Sequence, residues 1–149
     1  MRAIHRAAII AASFSFALSA PAFAATQYPV DPGDYVEVSG ITIDDGHDLE
    51  YLNYLAGTWR SNQDYAKAQG WITGYEILSN ENKRPGEADL YLVTRFKNFA
   101  DTAEGKRRGE AMQAHMRMNE TQMQAASGDR AKYRHSISSQ LLRAMVWNR

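Results

Sequence analysis

GYEILSNENKRPGEADLYLVTRFKNFAD, residues 74–101, is the stretch that decides the fold. Segments 71–78 and 89–96 are rich in β-branched and aromatic residues, which is typical of β-strands. The polar residues 79–88 between them include a Pro-Gly pair, which indicates a loop. The sequence therefore predicts a β-hairpin with a long connection.

The segments on either side of the hairpin predict four more elements. Before it, the alternating residues 35–43 predict a strand, and residues 49–66, apolar at intervals of three and four, predict an amphipathic helix that Gly70 ends. After it, a capping pattern at Asp101 opens a helical region predicted to run to Gln124 or beyond, with Gly128 as its stop, and residues 139–147 predict a closing strand. The order is strand, helix, strand, strand, helix, strand.

This order predicts an α+β domain of ferredoxin-like βαββαβ type, with a four-stranded antiparallel sheet in the spatial order 4-1-3-2 and two helices on one face. The charges inside the strands favour the same order. Laid out as 4-1-3-2, they are Arg143, Glu37, Arg95 and Glu76, so neighbouring strands carry opposite signs. Opposite charges across neighbouring strands are stabilising.

If these four charges share one face, it is the face away from the helices, and most of its other residues are apolar. A surface this apolar is seldom left in water. The simplest cover is the same face of a second copy. The apolar residues predicted on this face are Tyr35, Ile41, Ile72, Leu78, Tyr91, Val93, Leu141 and Met145.

The layout over residues 35–147, with 74–101 as its central hairpin, resembles the dimeric α/β-barrel superfamily, and within it small exported bacterial members of unassigned function. The resemblance implies a homodimer formed through the sheet faces and a small-molecule cavity between sheet and helices. The superfamily includes cofactor-independent monooxygenases, haem-degrading enzymes, isomerases and stress-related proteins. Membership therefore does not select a reaction.

Residues 1–24 are predicted to be a signal peptide. Arg2 and Arg6 precede a short apolar run, and Ala22-Phe23-Ala24 has the small-x-small pattern of a cleavage site. The run is shorter than the roughly 20 residues that a membrane span needs, so no membrane insertion is expected after cleavage. The predicted location is periplasmic or secreted.

The mature chain is predicted to hold a flexible N-terminal segment, 25–34, and one domain, 35–149. Its 15 basic and 17 acidic residues give a net charge of −2, which provides no general attraction for nucleic acid. There is no cysteine, so thiolate nucleophiles and cysteine-ligated metals are excluded. Stability must come from side-chain packing and self-association.

AMQAHMRMNETQM, residues 111–123, contains four of the six methionines beside His115. On one continuous helix, Met112, Met116 and Met123 would form a stripe. That stripe would either cover the sheet, line a small-molecule pocket, or, with His115, provide soft ligands for copper.

His115 is the candidate catalytic residue. As the most central histidine of the mature chain it would serve as a general base or bind a haem iron, or else be an ordinary helix-face histidine. Trp59 and Asn62 on the first helix, with Met112 and Met116 on the second, are the candidate ligand-binding residues, because an aromatic and partly polar cavity suits an electron-rich substrate.

The function predicted is an exported small-molecule-binding protein of the dimeric α/β-barrel type, with a cofactor-independent monooxygenase or isomerase as its catalytic form. The alternative is a non-catalytic ligand-binding or stress-related module; haem or copper binding is a third. No cofactor and no metal site are predicted. The partners expected are a second copy of the chain and a small organic molecule.

Overall fold

The computed structural model describes residues 28–148. Within them the chain forms one sheet and a set of helices. The strands are β1 (Val30–Ile43), β2 (Gly74–Ser79), β3 (Leu90–Phe96) and β4 (Arg134–Trp147). The helical segments are α1 (Asp48–Tyr54), a π-helical turn (Leu55–Trp59), α2 (Arg60–Ala68), α3 (Thr102–Met116) and α4 (Glu120–Arg130).

The four strands form one antiparallel sheet in the order β2-β3-β1-β4. Read from the β4 edge, the strands lie in the order 4-1-3-2. The α+β class predicted from the sequence is confirmed. Among residues 28–148 no further strand pairs with the outer edges of β2 and β4, and the sheet is compatible with a ferredoxin-like fold.

β1 begins earlier than the sequence predicted, so residues 30–34 belong to a strand and not to a flexible segment. Pro32 lies opposite Met145 of β4, while β3 pairs only with residues 35–41. Over 30–34, β1 therefore has a neighbour on one side only. A proline is tolerated there because its missing N–H removes no bond from a second neighbour.

The four strand charges do not share one face of the sheet, so that prediction is wrong. Glu37 lies directly opposite Thr94, whereas Val36 lies opposite Arg95. Side chains alternate between the two faces along a strand, so Glu37 and Arg95 lie on opposite faces.

Arg95 and Arg143 have local partners instead. Arg95 Nη2 lies 2.6 Å from Glu76 Oε1 across β3 and β2. Arg143 Nη1 donates to Tyr35 Oη at 3.1 Å, and its guanidinium carbon lies 4.4 Å from the centroid of that ring. The strand order therefore does not depend on a continuous ladder of charges.

The first helix packs on the sheet face that carries Ile41. Ile41 and Leu90 lie opposite each other and pack with Tyr51 of α1 and Leu55 of the π-helical turn, and all four side chains are buried. Burial raises the pKa of the Tyr51 phenol above 10.0.

The set of residues predicted to lie on the sheet face away from the helices is therefore partly wrong. Leu78, Tyr91 and Val93 do lie on the face opposite Ile41, as the register places them. Ile72 precedes β2. By strand alternation, four of the predicted residues share the helix-bearing face: Tyr35, Ile41, Leu141 and Met145.

The second helical region is two helices, so the single helix predicted from Asp101 to Gln124 or beyond is wrong. Arg117, at φ 54°, ends α3 in the left-handed conformation. Asn119 then opens α4 with a capping box. The backbone N–H of Gln122 donates to Asn119 Oδ1, and the backbone N–H of Asn119 donates to Gln122 Oε1, both at 2.9 Å. The predicted methionine stripe therefore does not continue to Met123.

The predicted signal peptide, residues 1–24, lies outside the described residues. Within residues 28–148, no helix combines the length and the apolar character needed to cross a membrane.

Candidate functional site

A π-helical turn, Leu55–Trp59, interrupts the first helix between α1 and α2. Such turns insert extra backbone into an α-helix and are frequent at functional sites. Gly57 stands at its centre, and a Cβ built there would meet no atom within 4 Å. The turn therefore faces open space on that side, and it separates two concave regions, an inner cavity and an outer groove.

The inner cavity lies between this helix and β2 and has a volume of about 410 Å³. The rings of Trp59 and Tyr75 meet edge to face, with centroids 5.3 Å apart. This geometry is favoured by the charge distribution of aromatic rings. The cavity is mainly apolar, and its lining residues are Leu52, Leu55, Ala56, Trp59, Arg60, Tyr75, Glu76 and Ile77.

Polar groups stand at the rim of the inner cavity. Tyr75 Oη donates to Asp64 Oδ1, and this hydrogen bond is the main cause that raises the pKa of Tyr75 above 10.0. Arg60 Nε lies 3.8 Å from the other oxygen of Asp64, in a solvent-exposed pair that adds little stability. The main effect of Asp64 is to fix the orientation of the neutral Tyr75 phenol.

The outer groove lies between α2 and the end of α3. It consists of two adjoining recesses of about 550 and 450 Å³, and Gly57, Ser61 and His115 line both. The imidazole of His115 stacks on the Tyr65 ring with centroids 4.2 Å apart. His115 Nε2 lies 3.3 Å from Ser61 Oγ.

The contact between Ser61 and His115 joins a hydroxyl to a base, the relation found between nucleophile and base in acyl-transfer enzymes. Among the hydrogen bonds of residues 28–148, no third group holds Nδ1 of His115. Ser61 is exposed and His115 half-buried, so water reaches the pair. The pair suits binding of a polar group and lacks the orienting residue of a complete triad.

The structure separates the residues that the sequence singled out. His115, Asn62 and Met116 meet at the outer groove, where Asn62 Nδ2 donates to Met116 Sδ at 3.5 Å. Trp59 lies in the inner cavity. Met112, half-buried on α3, is outside the linings of both regions. A single cavity containing Trp59, Asn62 and His115 is therefore not formed.

Sequence reasoning missed Ser61, Asp64 and Tyr75. Tyr75 was assigned only to a strand, and no local motif links it to Asp64. The available signal was Gly57 inside an amphipathic helix, since an interior glycine often marks an irregular turn or a site of function. Within residues 28–148, no group of three or more His, Asp or Glu side chains is placed to hold a metal ion.

The four-stranded antiparallel sheet of residues 28–148 is compatible with a ferredoxin-like fold. Compared with protein-family models, with curated proteins and with solved structures, the chain matches none of them.

Proposed function

We propose that this chain is an exported, ferredoxin-like protein of the dimeric α/β-barrel type that binds a small organic molecule in the inner cavity. The observation that carries the proposal is the cavity itself, about 410 Å³ and mainly apolar, with an aromatic pair in its wall. Small-molecule sites are typically apolar clefts of this size with a few polar groups that orient the ligand. Export rests on the predicted signal peptide, residues 1–24.

The lining defines the class of ligand. Trp59 and the aliphatic residues suit a small aromatic or branched apolar molecule. The Arg60 guanidinium at the rim suits one acceptor oxygen on that molecule. A volume near the lower end of known sites limits the ligand to a compact molecule.

The inner cavity favours binding without catalysis. No histidine lines it, and the Glu76 side chain points to the other face of the sheet, where it pairs with Arg95 at 2.6 Å. Catalysis by a monooxygenase or isomerase is the second candidate, and the contact between His115 and Ser61 is the observation that favours it. A substrate of such an enzyme would have to bind in the outer groove.

The homodimer through sheet faces is part of the same proposal. On the face opposite the helices, Leu78 is 47% exposed and Leu142 49% exposed. Pairing this face with its copy would remove both side chains from water, which supports the arrangement that the resemblance implies.

Binding of 2-naphthol, measured by titration calorimetry, tests the site. Leu52 lines the cavity and is half-exposed, so Leu52→Trp should fill the cavity and weaken binding at least tenfold. Leu49→Trp, on the same helix but outside the lining, is the matched control and should bind as the wild type does. Equal affinities for the two variants would place the ligand elsewhere and refute the proposal.

Two further measurements separate the alternatives. His115→Ala should leave naphthol binding unchanged, whereas a ligand in the outer groove would lose affinity. Native mass spectrometry of protein isolated from its own cells reports any retained organic molecule. Retained copper or haem iron would support the metal-binding alternative.

A further inference from the structure

β4 is a long strand at the edge of the sheet, and its second half, residues 141–147, is mainly apolar, an arrangement that folded proteins usually avoid. It has β1 on one side and no described strand on the other. Natural edge strands are typically short, charged or covered, because an open edge pairs with other chains. In residues 141–147, exposed apolar side chains occur on both faces: Leu141, Leu142, Met145, Val146 and Trp147.

The backbone of this segment directs hydrogen-bonding groups outward. Asn148 N donates to the Pro29 carbonyl beside β1 at 3.0 Å. Antiparallel strands alternate between residues that bond the neighbour and residues that do not. Trp147 and Met145 therefore direct their N–H and C=O groups away from β1, toward the open edge.

The sequence of the segment is complementary to itself. LLRAMVW, residues 141–147, has Ala144 at its centre and an apolar residue at each of the other positions except Arg143. An antiparallel pairing centred on Ala144 sets Leu141 opposite the partner's Trp147, and Leu142 opposite the partner's Val146. Arg143 then lies opposite the partner's Met145, so no charge faces a like charge.

We propose that two copies of this chain join through their β4 edges, in an antiparallel register centred on Ala144, so that their sheets become continuous. The contact is isologous, because the same segment serves both copies around a two-fold axis. It forms at the strand edge and not across the sheet face, although Leu142 borders both contacts, and it lies apart from the ligand site. Its hydrogen bonds and its apolar pairs come from one segment of one strand.

A charge-pairing experiment tests both the surface and the register. In Leu141→Lys/Trp147→Lys, the register opposes two pairs of lysines, and the particle mass in light scattering should fall to half that of the wild type. In Leu141→Lys/Trp147→Glu, the register opposes lysine and glutamate, and the wild-type mass should be kept. Circular dichroism checks that both variants are folded.

A proline variant tests the backbone contribution. Met145→Pro removes one N–H that points outward, away from β1, so no hydrogen bond between β4 and β1 is lost. The residue opposite Met145 in β1 is Pro32, which has no N–H of its own. The particle mass should again halve, whereas Met145→Leu should keep the wild-type mass.

Three results would overturn the proposal: a wild-type monomer at micromolar concentration, a Lys/Lys variant with the wild-type mass, or a Lys/Glu variant with half of it. The affinity for 2-naphthol shows whether the edge contact or the proposed ligand binding has been refuted. The edge variants should bind naphthol as the wild type does, because residues 141–147 do not line the inner cavity.

Discussion

Leu55→Ala should lower the free energy of unfolding by about 2–3 kcal/mol. Leu55 is 1% exposed and packs against Ile41, Tyr51 and Leu90. The substitution removes about three carbon groups, worth roughly 0.8 kcal/mol each, and a void adds to this loss. Since Leu55 also borders the inner cavity, part of its surroundings is already open. The loss should therefore lie near the low end of the 2–5 kcal/mol range known for Leu→Ala, at about 2–3 kcal/mol.

Urea unfolding followed by far-ultraviolet circular dichroism measures this loss. With a slope of about 1.5 kcal/mol per molar urea, the midpoint should fall by roughly 1.3–2 M. Leu49→Ala is the control, because Leu49 is 72% exposed on the same helix, and its effect should stay within about 0.5 kcal/mol. Equal losses in the two variants would refute the assignment of Leu55 to the core.

Three further predictions concern stability. Asp101→Ala should lower the free energy of unfolding, measured in urea, by about 1 kcal/mol, because Asp101 Oδ1 accepts the backbone N–H of Glu104 at 2.8 Å. An unchanged free energy of unfolding would show that this cap does not stabilise α3. Gly109→Ala should stabilise by up to about 1 kcal/mol, since a Cβ there meets no atom within 4 Å; a lower melting temperature would contradict this. Partial burial raises the pKa of Asp89, but hydrogen bonds from Lys83 and from the Ile43 N–H outweigh it and bring the pKa below 3.8. The resulting stability is present above pH 3.8 and is lost as the pH falls through the folded-state pKa. Asp89→Asn should therefore lose less stability on acidification than the wild type does in urea unfolding at a series of pH values, and parallel profiles would contradict the assignment.

The strand pattern could be predicted because each strand is a local run of β-branched and aromatic residues. The distribution of side chains between the two faces could not, because a shift of one residue in the register moves every side chain to the other face. Glu37 and Arg95 show this, since their strands are neighbours but their side chains lie on opposite faces. The break before α4 had a signal in Asn119 and Gln122, but methionine spacing favoured a continuous helix.

The candidate site was harder to predict, because its contacts join distant segments. Ser61 and His115 are 54 residues apart, and neither belongs to a local motif. The π-helical turn adds a second difficulty. A π turn takes more residues than an α turn, so a periodicity counted through Leu55–Trp59 assigns later residues to the wrong side of the helix. Trp59 and Asn62 were assigned to one cavity from their residue types, whereas Trp59 lines the inner cavity and Asn62 lines the outer groove.

The π-helical turn and the start of α2 form a wall that the two concave regions share. Ala56 and Arg60 line both the inner cavity and the larger recess of the outer groove. A molecule that displaced Ala56 from the inner cavity would therefore change the shape of the recess that Ala56 and His115 both line.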